Sequence, residues 1–223
     1  KRIERHPHRI PRPQAARLYR NRGDGKFDDV SAPAGWAALP GNGLGVLAAD
    51  FDDDRRADFF VANDLMPNRL WLQRAVVDAP RSRFAAPRFE DAALLAGCAL
   101  SGAGRAEASM GVDLGDYDGD GDDDLFITKF DGETNTLYRN EGGGQFLDAT
   151  AGSGLGEASF RLTGFGARFL DYDNDGRLDV AVTNGRVIFR PGADLASDPY
   201  PMAEPNLLFH NEGSGTFRDA STE

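Results

Sequence analysis

The stretch DYDGDGDDDLFIT, residues 116–128, places carboxylates at alternate positions of a short loop and then continues into apolar residues. The same arrangement returns as DYDNDGRLDVAVT at 171–183 and more loosely as DFDDDRRADFFVA at 50–62. The residues after each loop alternate with a period of two, which predicts a half-buried β-strand. Three such copies at one phase indicate a repeat built from strands.

A second element of the repeat follows each Asp loop and also precedes the first one. Its copies read ARLYRNRGDGKFDDVS at 16–31, NTLYRNEGGGQFLDAT at 135–150 and NLLFHNEGSGTFRDAS at 206–221, and a longer copy runs from NRLWLQ at 68 to RFEDAA at 88–93. A Gly-rich turn between two apolar-aromatic segments predicts an antiparallel hairpin. We expect the Phe of each Phe-x-Asp pattern to fill the core and the Asp to accept turn hydrogen bonds; these phenylalanines are Phe27, Phe89, Phe146 and Phe217.

The two elements together predict an all-β fold. Four antiparallel strands in a unit of roughly 55–66 residues, the spacing of the Asp loops, are typical of a β-propeller blade. Because four outer hairpins accompany only three Asp loops, we predict about three and a half blades, a fragment of a larger propeller. The predicted boundaries are a linker or tail of a preceding element at 1–15, an outer half-blade with its connection at 16–42, and blades at 43–103, 104–163 and 164–223.

The Asp loops have the spacing of a cation site. Alternating carboxylates with a glycine at the bend allow a short loop to curl around a hard cation, and all-oxygen ligation without His or Cys selects Ca²⁺. Position 7 is expected to add a backbone carbonyl. The predicted ligands at positions 1, 3, 5, 7 and 9 are Asp116, Asp118, Asp120, Asp122 and Asp124 in the second loop, and Asp171, Asp173, Asp175, Arg177 and Asp179 in the third.

The first loop departs from this pattern, so we expect it to bind Ca²⁺ more weakly. Its predicted ligands are Asp50, Asp52, Asp54, Arg56 and Asp58, but Arg55 stands where the other loops have glycine. An arginine there must adopt a strained positive φ or reshape the bend, and it brings its own charge beside the cation. An EF-hand is excluded, because position 12 is Val61, Ile127 or Val182 instead of a bidentate Glu. The alternative interpretation of the loops is solvated acidic turns at a sheet edge.

These residues carry a resemblance to a known family. The segments GFGARFLDYDNDGRLDVAVTN at 164–184 and LYRNEGGGQFLDATAGSG at 137–154 resemble FG-GAP/VCBS repeats, especially those of ASPIC/UnbV and cartilage-acidic-protein-like proteins. The resemblance implies loops that bind Ca²⁺ as in integrin α-chain propellers, a seven- or eight-bladed ring, and an exported or cell-surface protein. It does not imply one activity. The sequence departs from the pattern at Arg55 and at Gln73, where the other copies have Asn.

Charge and cysteine content limit the possible functions. A net charge of −11 argues against nucleic acid as a partner, and no apolar run is long enough for a membrane helix. The single Cys98 excludes an intrachain disulfide. From the predicted Ca²⁺ loops and from what the family resemblance implies, we expect a Ca²⁺-stabilised recognition or adhesion scaffold, whose partners are the remaining blades and a protein or glycan ligand. The turns opposite the Asp loops, with Tyr200 and Met202 and with Phe189, are candidates for that contact.

Two other classes of function are weaker. Enzymatic activity has little support, because there is no G-x-S-x-G elbow and no acid–base pair apart from the loops. His210 is aligned with Arg20, Gln73 and Arg139 of the other copies, and we interpret it as an ordinary strand-surface residue. Carbohydrate binding between blades would need exposed aromatic platforms, for which Trp36 and Trp71 are the candidates.

Overall fold

The strands follow the repeat along the chain. The computed structural model describes residues 12–75, 87–187 and 199–222. In these ranges the strands are β1 (Tyr19–Asn21), β2 (Phe27–Asp29), β3 (Gly43–Ala49), β4 (Asp58–Asn63), β5 (Arg69–Arg74), β6 (Arg88–Asp91), β7 (Val112–Gly115), β8 (Asp124–Ile127), β9 (Thr136–Asn140), β10 (Phe146–Asp148), β11 (Gly164–Leu170), β12 (Asp179–Asn184), β13 (Leu207–Gly213) and β14 (Thr216–Asp219).

Three four-stranded sheets and one two-stranded sheet result. Strands β3 to β6 form blade A, β7 to β10 form blade B, and β11 to β14 form blade C, each in sequence order. Strands β1 and β2 form a separate hairpin, the half-blade. All pairs are antiparallel, as expected for a propeller blade. The predicted all-β fold with three and a half blades is confirmed, and the described sheets do not close a ring.

The apolar cores lie between successive sheets, because both faces of each central strand are covered. On β4, Phe60 and Ala62 pack against blade B, whereas Phe59 and Val61 pack toward the half-blade. The same alternation on β8 places Leu125 toward blade A and Phe126 toward blade C. Consecutive apolar residues of one strand therefore serve two interfaces at once. The prediction of half-buried strands needs correction for β8, which is buried on both faces because a blade packs on each side of it.

A glycine at the start of the first strand of blades A and B allows the next blade to approach closely. A Cβ atom on Gly111 would lie 1.9 Å from the carbonyl oxygen of Phe165 in blade C. On Gly45 it would lie 2.4 Å from the carbonyl oxygen of Met110 in blade B. Both distances are far below van der Waals contact, so the two strands can pack together only without a side chain at these positions.

Several expectations need correction. Phe27 is 60% exposed, because no preceding sheet covers the half-blade among the described residues, whereas Phe146 and Phe217 are buried as predicted. Two short helices that the repeat pattern did not predict follow outer strands, α1 (Ala93–Ala96) and α2 (Leu155–Ser159). None of the described helices has the length and apolarity needed to span a membrane.

Candidate metal centre

Each Asp loop joins the first two strands of a blade. The first loop (50–58) lies between β3 and β4, the second (116–124) between β7 and β8, and the third (171–179) between β11 and β12. The carboxylate at position 1 of each loop accepts the backbone N–H groups of positions 5 and 6. For Asp116 these bonds measure 3.1 and 3.0 Å. The carboxylate at position 1 therefore holds the bend of the loop by hydrogen bonds alone, independently of any ion.

Position 9 connects the loop to the body of the blade. Asp124 accepts the N–H of Tyr117 at 3.1 Å through Oδ2 and that of Asn140, at the end of β9, at 2.8 Å through Oδ1. Asp58 and Asp179 make the same two bonds in their own blades, and all three carboxylates are fully buried. A carboxylate has about four acceptor sites, so each of these oxygens retains capacity for a further ligand.

The predicted ligands converge only in part. Carboxylate oxygens of positions 1, 3 and 9 lie within 4.8 Å of one another in the first loop (Asp50, Asp52, Asp58) and in the second (Asp116, Asp118, Asp124). In the third loop the corresponding group is Asp171, Asp173 and Asp175. Clusters of this kind suit a divalent cation with oxygen ligands.

Arginine side chains engage position 5 in two loops. Arg56 pairs with Asp54 and donates through Nε to the carbonyl oxygen of Gln73, and Arg177 pairs with Asp175 and donates to the carbonyl of Asn211. Each guanidinium compensates the charge of the position-5 carboxylate, which in the third loop is itself a member of the cluster. In the second loop Asp122 takes the place of the arginine, and its N–H donates to Asp120. The expected carbonyl ligands at position 7 remain a prediction.

Arg55 adopts the backbone conformation that its place in the first loop requires. Its φ is 67°, in the left-handed region, where Gly121 and Gly176 have 98° and 88°. Its N–H still donates to Asp50, at 2.7 Å. The loop is therefore preserved at the cost of backbone strain, and the exposed side chain leaves the cluster free.

Burial disfavours the charged form of the clustered carboxylates and raises their pKa values. The pKa of Asp124 is raised to about 7, first by burial and then by the charges of Asp118 and Asp120, which together outweigh the lowering by its two backbone hydrogen bonds. The pKa values of Asp118 and Asp52 are raised by burial first and by a neighbouring Asp second. A cation among these oxygens would relieve both effects.

One unpartnered atom also favours a cation. Asp52 binds Arg74 through Oδ2 at 3.1 Å, but its Oδ1 is buried and has no hydrogen-bond partner among the described residues. A buried carboxylate oxygen without a partner is costly unless something else binds it. The donor set of the first loop therefore fits a hard divalent ion in spite of Arg55.

The location of His210 contradicts the interpretation of this residue as an ordinary strand-surface residue. Its Nδ1 lies 3.4 Å from Asp173 Oδ2 and 3.4 Å from Asp179 Oδ1, and the side chain is only 12% exposed. The position pairs with Arg218 on β14 and corresponds to Leu72 and Arg139 in the other blades. The sequence did contain a signal for this location. Residue 210 differs in type from its equivalents in blades A and B, and it directly precedes Asn211, whose N–H binds position 9 of the loop.

The turns on the opposite face serve a structural role where they are described. The side-chain oxygens of Asn68, Asn135 and Asn206 accept the N–H of the last residue before each turn, at 3.0–3.1 Å. Tyr200 is 75% exposed, and Met202 is partly buried. Phe189, part of the predicted contact, lies outside the described residues.

The two candidate aromatic platforms are buried in the core. Trp36 and Trp71 stack at 5.5 Å between the half-blade and blade A and are about 4% and 3% exposed. They are therefore unable to serve as exposed platforms for a sugar.

A separate cleft of about 1030 Å³ lies beside β9 and α2. Its lining includes Arg105, Thr134, Thr136, Asp148, Glu157 and Phe160.

The blades and their Asp loops define an Asp-loop type of propeller repeat, and sequence comparison agrees. The pattern of the FG-GAP-like repeat matches residues 10–75 and 116–182, more than half of the chain, and the chain belongs to this family. It is also similar to cartilage acidic protein 1 from Homo sapiens, with 29% identity over 181 residues. The same protein from Mus musculus is 28% identical and that from Xenopus tropicalis 27%.

The match covers much of this chain but little of its relatives. The aligned residues are 78% of this chain and 25% of the human protein, or 26% of the mouse and frog proteins. The chain therefore spans about a quarter of the length of the relatives it matches. The matched part is a repeat module with a propeller-like scaffold, and acidic clusters in it are able to hold a metal ion.

Proposed function

We propose that the chain is a calcium-binding β-propeller module that acts as a structural and recognition scaffold in an exported protein. The observation that carries the proposal is the convergence of positions 1, 3 and 9 within 4.8 Å in the first two loops, with position 9 fully buried. Membership in the FG-GAP-like family supports Ca²⁺ as the ion, and similarity to cartilage acidic protein 1 supports an adhesion-like, extracellular role.

The ions would have a structural role. An ion whose coordination shell is filled by the loop would have no open position for a substrate, which favours a non-enzymatic module. Position 9 accepts hydrogen bonds from both its loop and the third strand of the blade, so an ion on the same carboxylate would stabilise the hairpin pair. Two carboxylates about 4 Å apart repel by roughly 4 kcal/mol at an effective dielectric constant near 20. Binding of Ca²⁺ would remove this repulsion.

Thermal unfolding tests the proposal. We expect EDTA to lower the melting temperature and added Ca²⁺ to restore it, since occupancy at about 100 times the dissociation constant stabilises by ~2.7 kcal/mol per site. Asp118→Asn should remove most of the effect of the second loop, whereas Asp122→Asn, outside the cluster, should leave it. Equal Ca²⁺ responses of the two variants would contradict the ligand assignment, and no response of the wild type would contradict the proposal.

The cleft beside α2 supports binding of a polar ligand such as a glycan as a second function. Three threonines, three carboxylates and Arg105 provide hydrogen-bonding groups, and Phe160 is 40% exposed at its edge. An aromatic face with convergent polar groups is the usual composition of a small-ligand site. We expect Phe160→Ala to abolish any hit from a glycan array, and Phe165→Ala, an exposed residue that does not line the cleft, to retain it.

A further inference from the structure

His210 extends from β13 into the third Asp loop. Its Nδ1 is 3.4 Å from an oxygen of Asp173 and 3.4 Å from an oxygen of Asp179. The side chain is 12% exposed, and Nδ1 itself is buried and has no hydrogen-bond partner among the described residues. One imidazole nitrogen and two carboxylate oxygens thus form a mixed cluster in which all three atoms lie within 4.8 Å.

The neighbours of this cluster hold it in place. Asp179 is fully buried, and its two oxygens accept the N–H groups of Asn211 at 2.8 Å and Tyr172 at 3.0 Å. The ring of Tyr172 meets the imidazole edge to face, with 6.0 Å between centroids. Because these contacts orient both the carboxylate and the imidazole, the cluster is preorganised for a small ion.

We propose that His210 is a metal ligand through Nδ1, together with Asp173 and Asp179, and that the third loop consequently prefers a zinc-like divalent ion to Ca²⁺. This deepens the proposed function, because it concerns the metal preference of one of the same loops. Imidazole nitrogen suits zinc and similar transition ions, whereas Ca²⁺ takes oxygen ligands. An ion about 2.1 Å from two atoms that are 3.4 Å apart subtends about 108°, close to the tetrahedral angle of zinc sites.

The other two loops provide an internal comparison. The residues equivalent to His210 are Leu72 in blade A and Arg139 in blade B, and neither side chain is able to ligate a cation. The proposal therefore assigns the preference to one loop alone. The competing explanation is a protonated His210 that forms ion pairs with the two carboxylates and binds no metal.

Titration with zinc distinguishes these explanations. The chain has three histidines, so the test uses the 223-residue protein without a polyhistidine tag and with His6→Gln and His8→Gln, which leaves His210 as its single histidine. Isothermal titration with ZnCl₂ in excess Ca²⁺ should show one site. His210→Arg, which introduces the residue type of blade B, should weaken zinc binding by more than about tenfold, since loss of even an outer-shell partner costs 10–100-fold. His210→Gln serves as a second variant should the arginine disturb folding.

A spectroscopic readout separates ligation from a structural role. In the single-histidine protein, nitrogen NMR of the imidazole should show a shift of Nδ1 on addition of stoichiometric zinc and no comparable shift with Ca²⁺. Thermal unfolding without metal confirms that each variant is folded. An unshifted Nδ1, or zinc affinity that is the same in wild type and His210→Gln, would overturn the proposal. Neither result depends on Ca²⁺ binding by the second loop, which Asp118→Asn tests separately.

Discussion

Asn211 Nδ2 donates a hydrogen bond of 2.9 Å to the carbonyl oxygen of Tyr117, which precedes it by 94 residues. The bond joins the outer hairpin of blade C to the second Asp loop, in blade B. The same nitrogen donates to the carbonyl of Leu178, and Oδ1 accepts the N–H of Gly213. One side chain therefore shapes its own turn, supports the third loop and connects two blades.

We predict that Asn211→Ala destabilises the protein by about 1–3 kcal/mol, because it leaves buried carbonyl groups without a donor. Urea unfolding measures the effect. Asn21→Ala is the matched control, since Asn21 begins the equivalent turn of the half-blade but bonds only to the exposed N–H of Gly23 among the bonds described. A surface change of that kind costs at most about 0.5 kcal/mol. Equal costs in the two variants would show that the contact between blades contributes nothing.

Glycine-to-alanine substitutions in the first strands of the blades should destabilise the protein to different degrees, depending on which atoms the new Cβ meets. Gly111→Ala should destabilise by about 1–3 kcal/mol or more, because its Cβ would meet backbone atoms of Phe165 at 1.9 and 2.8 Å, which are unable to rotate away. Gly166 occupies the same repeat position, but its Cβ would meet the side-chain oxygen of Thr183 at 2.6 Å. A side chain is able to change rotamer, so Gly166→Ala should cost less. Thermal unfolding that ranks the two in reverse would contradict this packing.

The strained first loop predicts a stabilising substitution. Arg55→Gly should stabilise the protein by up to about 1 kcal/mol, because a left-handed conformation costs a residue with a Cβ about 1–2 kcal/mol and glycine is more flexible when unfolded. The variant should also bind Ca²⁺ more tightly, since a positive charge is removed. Gly121→Arg is the reciprocal change in the second loop and should have the opposite effects. Calorimetric titration of both variants checks the affinities.

The reactivity of the Cys98 thiol reports how accessible the interface between blades A and B is to solvent. Its thiol is fully buried in the core of that interface, and burial, followed by the charge of Asp91, raises its pKa. A raised pKa means less thiolate near neutral pH, so we expect a disulfide reagent to modify the native protein very slowly. Modification in denaturant should be complete, and EDTA should accelerate it if the loops bind Ca²⁺. Rapid modification of the native protein would contradict the buried location.

The local sequence pattern was sufficient to predict much of the fold and the position of the Asp loops. The alternation after each Asp loop predicted β4, β8 and β12, and the 1-3-5-9 spacing identified the loops. The glycines at the equivalent positions, Gly121 and Gly176, predicted that Arg55 takes a positive φ or reshapes the bend, and the first of these is observed. These features depend on a few neighbouring residues, whose backbone geometry and side-chain alternation are encoded directly in the repeat.

The arrangement of distant groups was decided by the tertiary structure alone. His210 lies far from Asp173 in sequence, and only the pairing of β12 with β13 brings its Nδ1 to the third loop. Likewise, Gly111 is required by the backbone of the next blade, and Phe27 is exposed while Phe146 is buried, although the two occupy the same place in the repeat. A repeated sequence specifies each unit, but burial, ligation and close contact depend on which surfaces adjacent units bring together.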